Sequence, residues 1–271
     1  MPDLRATTLV DAPPRTVAAA LLDTALLAGS VRGLGVRLAG GPLLHEGAEL
    51  TGSVGPVTVT LVVTRADTTG VAAELVNGPL PRLALATDLR PTRGGTVVID
   101  SVAWTSPGGP LGGLADVVVG RGLALKVLRA RADAVARRSA QLLTARVVVG
   151  AAVVRDGLLL AQQRDYPADA AGRWELPGGR VEPGEDDRAA VVRECAEELG
   201  VAVTPGEQLG PDVPLRADLL LRVYAAELAG GEPEAKEHRA VRWVPPAEVD
   251  TLDWLPADRV LLPALRTLLT P

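Results

Sequence analysis

Residues 174–201, WELPGGRVEPGEDDRAAVVRECAEELGV, decide how the second half of this chain is read. Five ionisable side chains follow Gly179 at fixed spacing: Glu185, then Arg193, Glu194, Glu197 and Glu198, closed by Leu199-Gly200-Val201. In a helix, Glu194, Glu197 and Glu198 stand at i, i+3 and i+4 and are expected to project from one face of one turn. Like charges so close repel, and a helix built for stability alone would pair them with Lys or Arg. A hard divalent cation such as Mg²⁺ or Mn²⁺, by contrast, requires clustered oxygens. A lone Glu-x-x-Glu-Glu ordinarily means a solvated acidic face; the full spacing from Gly179 to Gly200 argues for a metal–phosphate site.

The flanking sequence places this motif. Val147 to Val154 and Leu158 to Gln162 read as strands joined by Arg155-Asp156-Gly157, where Asp-Gly is a strong hairpin signal. Trp174 to Gly179 leads a strand into a loop that continues through Pro183-Gly184. A helix follows, with Asp186 as N-cap, Asp187 at the positive end of its dipole, Ala189, Val191, Val192 and Cys195 among its apolar positions and Gly200 as its stop. Further strands are expected near Leu219 to Glu227 and Ala240 to Val244, and a last helix over Ala257 to Leu269.

This pattern resembles the Nudix box, with Cys195 standing where that family has a bulky apolar residue; a buried Cys packs as a small hydrophobe. The resemblance implies an α/β/α sandwich and extends over residues 145–271 toward the MutT-like branch, whose members cleave nucleoside triphosphates to monophosphate and pyrophosphate. It implies a metal site, for Mg²⁺ or Mn²⁺, formed by the Gly178 carbonyl and by Glu194, Glu197, Glu198 and Glu237, with Glu194 or Glu237 as general base. Glu185 and Arg193 take supporting roles, the Arg orienting a catalytic Glu. Arg164 matches a nucleotide-contacting Arg, and Asp258 falls where this branch carries a base-recognising Asn or Asp; the alternative for Asp258 is an N-cap of the final helix. The three intact box carboxylates favour an enzyme over a nucleotide sensor, and a nucleoside-diphosphate-linked metabolite is the rival substrate. The base is left open among oxidised guanine, cytosine, uracil and thymine forms.

Charge supports the same reading. Residues 1–143 hold 14 basic and 11 acidic residues, whereas the remainder holds 14 basic and 22 acidic, net −8. An acidic half that binds polyanionic phosphate needs a cation to invert the local field, which argues against a nucleic-acid groove. With 271 residues, 47% of them apolar, the chain can bury two cores. The single Cys excludes a disulfide framework, and no apolar run reaches membrane length, so a cytoplasmic protein is expected. Absent Phe and abundant Arg, Ala, Gly, Pro, Val and Leu suggest a GC-rich bacterial genome.

In the first half, Val10-Asp11-Ala12-Pro13-Pro14-x2-Val17-x5-Asp23 is similar to the opening strand and helix of the START-like helix-grip family (SRPBCC; polyketide cyclase/dehydrase-like proteins). Strands are expected at Leu50 to Val54, Val57 to Arg65, Val71 to Val76, Leu83 to Leu89 and Thr96 to Trp104. A Gly/Pro-rich run, Ser106 to Gly113, precedes a helix-forming segment from Leu114 to Leu143. The resemblance implies an antiparallel sheet gripping a long C-terminal helix over residues 1–143, with a small apolar ligand or plain packing between them; His45 and Trp104 are read as packing or surface residues. The expected whole is a two-domain α+β chain, 1–143 and 145–271, joined without a flexible linker.

Overall fold

The computed structural model describes residues 3–105 and 121–270. The expected Gly/Pro-rich run at 106–113 and the first residues of the expected long helix, 114–120, lie outside the described residues. Contacts divide the chain into two compact units, Met1–Thr144 and Ala145–Pro271. Among the described residues no helix is long and apolar enough to cross a membrane.

The first unit begins with β1 (Asp3–Val10), followed by helices α1 (Pro14–Leu22) and α2 (Thr24–Arg32). Pro14 opens α1 where its missing N–H costs nothing, and the Asp23 side chain caps α2 by accepting from the Leu26 N–H. Strands β2 (Val36–Gly40), β3 (Glu49–Val54), β4 (Val57–Asp67), β5 (Gly70–Asn77), β6 (Arg82–Thr92) and β7 (Gly95–Thr105) complete an antiparallel sheet of order β1-β7-β6-β5-β4-β3-β2. The long helix α3 (Arg121–Leu142) packs against α1, α2 and β1. Trp104 is core, clustered with Leu4 and Leu128, while His45 Nδ1 lies 2.9 Å from its neighbour's carbonyl, Glu46 O. The β2 strand is not among the segments expected from sequence: its burial alternates weakly and two glycines flank it.

The second unit starts with the expected hairpin. Strands β8 (Arg146–Arg155) and β9 (Leu158–Gln163) meet at Asp156 and Gly157, both with positive φ (52° and 75°), as a tight hairpin turn demands. After the short β10 (Trp174–Glu175) comes α4 (Asp187–Leu199), capped by the Asp186 side chain on the Ala189 N–H and ended by Gly200 in the left-handed region. Strands β11 (Ala202–Arg216), β12 (Leu219–Gly230) and β13 (Ala240–Val244) complete a mixed sheet of order β10-β9-β8-β12-β11, with β13 on β9 and β12 parallel to β8. The chain ends in a 3₁₀ turn (Pro246–Thr251) and helices α5 (Pro256–Arg259) and α6 (Leu262–Leu269).

Three details go beyond the sequence reading or correct it. The fifteen-residue β11 escapes a propensity reading because Pro205, Gly206, Gly210, Pro211 and Pro214 punctuate it; the ladder accommodates them at register shifts. The single last helix is in fact two: Pro263 has no N–H for the carbonyl four residues back, and the break falls at Val260–Leu261. In α4, Ala189 and Val192 face outward while Ala190, Val191, Cys195 and Leu199 pack with Val149, Ala151, Val153 and Leu160. Cys195 is a fully buried packing residue whose thiol burial pushes up to about 12, out of reach of ordinary thiolate chemistry.

Candidate functional site

β8 and β9 pair at only two positions beside their turn and then separate. The gap is filled by the loop that precedes α4. Val149 N–H donates to Gly179 O and Ala151 N–H to Pro177 O, both at 2.8 Å, and Val181 N–H returns a bond to Val147 O. The Gly178 peptide is thereby left facing the helix side, where its N–H donates to Glu198 Oε2 at 3.1 Å. Gly178 is needed for this approach, and Gly179 leaves room for the Glu194 carboxylate. A Cβ on Gly178, whose φ is 153°, would lie 2.0 Å from Val149 O, and one on Gly179 would lie 2.2 Å from Glu194 Oε1.

Arg193 organises the outer part of the site. Its Nε and Nη2 fork onto both oxygens of Glu185 (3.0 and 2.9 Å), Nη1 reaches Glu194 (2.9 Å) and Glu197 (3.0 Å), and Nη2 also donates to Arg180 O. The hydrogen bonds from Arg193 hold the Glu185 carboxyl below its usual range, and Glu185 in turn accepts from the Glu182 N–H. The guanidinium thus ties the loop to the helix through charge-assisted bonds.

The three box carboxylates do not form the single cluster expected. Successive helical residues are rotated by about 100°, so Glu197 and Glu198 fall on opposite flanks of Glu194. Glu197 lies outward, its side chain 57% exposed, whereas Glu198 turns into the buried stripe beside Cys195 and Leu199. Burial pushes both Glu194 and Glu198 above the ordinary carboxylate range, opposed by Arg193 for the first and by the Gln162 amide for the second. Among the described residues no three acidic or histidine side chains are already gathered at metal-binding distance. The donor set nevertheless suits a hard divalent cation: all oxygen, two carboxylates poorly compensated by positive charge, and a side-chain-free glycine pair against them.

A cavity of about 330 Å³ opens beside Glu198. Gly178, Glu198, Glu237, Arg164 and Asp258 all line it, so the residues expected at the phosphate and base ends share one pocket. Glu237 sits exposed at its edge. Arg164 donates to Glu175 Oε2 at 3.0 Å and to Tyr166 O. Asp258 caps no helix, which overturns the capping alternative: it lies inside α5, 4% exposed, and accepts from the Leu176 N–H at 3.1 Å. Burial pushes its carboxyl up to about 7, with Glu175 adding to the rise and Arg164 opposing it.

Three residues of this network were not singled out from sequence: Gln162, His238 and Glu175. His238 Nε2 is 3.0 Å from Glu175 Oε1 and 3.0 Å from Gln162 Nε2, and Gln162 Nε2 donates to Glu198 Oε2 at 3.0 Å. The available signal was a polar residue inside the run Leu158 to Gln163, at the parity of Leu160 and hence on the face covered by α4.

The profile of the NUDIX domain matches residues 144–265. The chain is 50% identical over 116 residues to the putative 8-oxo-dGTP diphosphatase 2 of Mycobacterium tuberculosis, covering 42% of this chain and 82% of that protein. The chain belongs to the Nudix family. It is a Nudix hydrolase, acting on phosphoric anhydride bonds. The CTP pyrophosphohydrolase of Escherichia coli is 39% identical over 123 residues, 45% of this chain and 91% of that protein. A crystal structure of a MutT NUDIX hydrolase from Burkholderia pseudomallei aligns at 35% identity over 44% of this chain and 96% of that one, with a TM-score of 0.40. The Nudix match leaves residues 1–143 outside it.

The buried Asp258 gives the Nudix unit a pH signature. A carboxyl raised from 3.8 to about 7 adds no penalty while neutral in both states, below about pH 3.8; stability is then lost as pH rises toward 7, because the unfolded carboxyl ionises while the buried one stays neutral, and the loss is complete above the folded value. About three units correspond to about 4 kcal/mol. Asn at this position keeps an acceptor for Leu176 and cannot ionise. The unfolding free energy of Asp258→Asn relative to the parent, from urea titrations followed by Trp fluorescence, should therefore increase by up to this amount between pH 4 and pH 8. An unchanged difference across that range would contradict a neutral buried Asp258.

Proposed function

We propose that this protein is a Mg²⁺-dependent pyrophosphohydrolase, with Mn²⁺ able to substitute, that cleaves a nucleoside triphosphate to monophosphate and pyrophosphate in the MutT-like manner. The observation that carries this reading is one pocket lined by Glu198, Gly178 and Glu237 together with Arg164 and Asp258. Glu194, Glu197, Glu198, Glu237 and the Gly178 carbonyl would hold the cation. When bound, it would neutralise phosphate charge and make a water more acidic. Glu194 is suited to act as general base: burial already raises its proton affinity, and Arg193 keeps it oriented. Arg193, tethered to Glu185, serves as the positioning group. Arg164 would meet the nucleotide. Asp258, with one oxygen on Leu176 and a carboxyl pushed up to about 7, can offer a donor or an acceptor to a base near neutrality.

The names of the relatives, an 8-oxo-dGTP diphosphatase and a CTP pyrophosphohydrolase, favour oxidised guanine and cytosine nucleotides as first substrates to try. With Mg²⁺ present, a panel of triphosphates that includes both should yield monophosphate plus pyrophosphate from one member, and Glu197→Gln or Glu198→Gln should lower its turnover by about a hundredfold or more. Diphosphate plus phosphate as products, or no hydrolysis of any member, would sink this reading and shift the search to diphosphate-linked metabolites.

For residues 1–143 we propose a helix-grip ligand domain, preceding a Nudix domain at 145–271. The supporting observation is an apolar cavity of about 340 Å³ lined by Leu61, Val63 and Leu85 of the sheet and by Leu128 of α3. Dansyl-undecanoic acid should bind with blue-shifted emission, and Ala73→Trp, which fills the cavity, should abolish the shift. Equal emission with both proteins would exclude a ligand site there.

A further inference from the structure

Gln162 is buried to 1% exposure on β9, among Leu159, Leu160 and Ala161, each fully buried. Its amide oxygen has no hydrogen-bond partner among the described residues, and neither has His238 Nδ1. A buried amide oxygen left without a donor loses its hydration with nothing to replace it, and Leu or Met would fill the same space without that penalty. Stability alone therefore does not account for Gln162.

The geometry of its nitrogen does. Gln162 Nε2 and the Gly178 N–H converge on the same atom, Oε2 of Glu198, at 3.0 and 3.1 Å. Two donors on one oxygen fix the plane of the carboxylate and leave Oε1 as its free oxygen, 3.9 Å from His238 Nδ1. Reversing the amide would set two acceptors against each other, so this orientation is the one that serves an ionised Glu198. Behind Gln162, His238 Nε2 lies 3.0 Å from Glu175 Oε1, and Arg164 holds the other oxygen of Glu175. His238 Nε2 stands between two partners and serves one at a time: protonated it donates to Glu175, unprotonated it accepts from the Gln162 amide.

We infer that Gln162, with His238 beside it, is a positioning residue that presents Oε1 of Glu198 to the divalent cation. This rests on the metal-dependent Nudix reading above. It acts through Glu198 rather than on substrate, in the way outer partners tune metal ligands elsewhere.

The test is a Mn²⁺ titration of the nucleotide-free full-length chain by electron paramagnetic resonance, comparing the parent, Gln162→Met and Glu198→Gln. Gln162→Met should weaken Mn²⁺ by about tenfold or more. Its kcat should be low at limiting metal and recover as Mn²⁺ is raised, with KM at saturating metal within about twofold of the parent, as expected for lost ligand orientation. A merely structural role would lower the melting temperature and leave the Mn²⁺ affinity of the folded protein unchanged, which would overturn the inference. Retained affinity in Glu198→Gln would instead overturn the metal reading itself, and this inference with it. Should Gln162→Met show no cooperative melt, His238→Leu takes its place: a several-fold loss of Mn²⁺ affinity is expected, and parental affinity would refute the role.

Discussion

The Nudix unit depends on the backbone of residues 177–179 lying against β8 at hydrogen-bonding distance. That contact takes the place β9 would otherwise occupy, and it is closed by Val149 and Ala151 donating to Gly179 and Pro177. At Gly178 only a residue without a Cβ allows it, since Val149 O stands where that Cβ would be; at Gly179 a Cβ would displace the Glu194 carboxylate. The same contact leaves the Gly178 peptide facing α4, and so determines where the Glu198 carboxylate is held. Sheet pairing, the two glycines and the acidic helix are one arrangement rather than three features.

Electrostatics then divide the labour among the carboxylates. Arg193 gathers Glu185, Glu194 and Glu197 near the surface, while Glu198 goes inward to neutral donors. Buried carboxylates with too little positive charge around them carry raised proton affinity, as Glu194 and Glu198 do, and a divalent cation is the natural way to relieve it. A second charge network on the same unit behaves differently. Arg222 forks onto Asp212 and also reaches Asp187, which Tyr224 bonds as well. Its charges answer one another, as in a structural ion-pair network.

The box was legible because its spacing encodes chemistry that few other arrangements need. The Asp156-Gly157 turn, the Asp186 cap and the Gly200 stop were legible because each rests on local backbone preference. What stayed hidden depended on tertiary pairing. β11 is a strand only because β12 accepts its bulges, and the split between α5 and α6 turns on the single Pro263. Gln162 and His238 lie 76 residues apart in sequence and meet only when β9 and the segment after β12 come together. The divergence of Glu197 from Glu198 follows from helical geometry alone: each stands beside Glu194, yet the two are about 100° apart around the axis.

The central claim is that the acidic helix and the Gly178 loop form a divalent-cation site. Crystals soaked in Mn²⁺ with a non-hydrolysable triphosphate, examined by anomalous diffraction, test it most directly. The account predicts an anomalous peak bounded by Glu194, Glu198 and the Gly178 carbonyl, with the triphosphate reaching toward Arg164 and Asp258. A peak only at the Asp212–Asp187 network, or none beside Glu198, would contradict it.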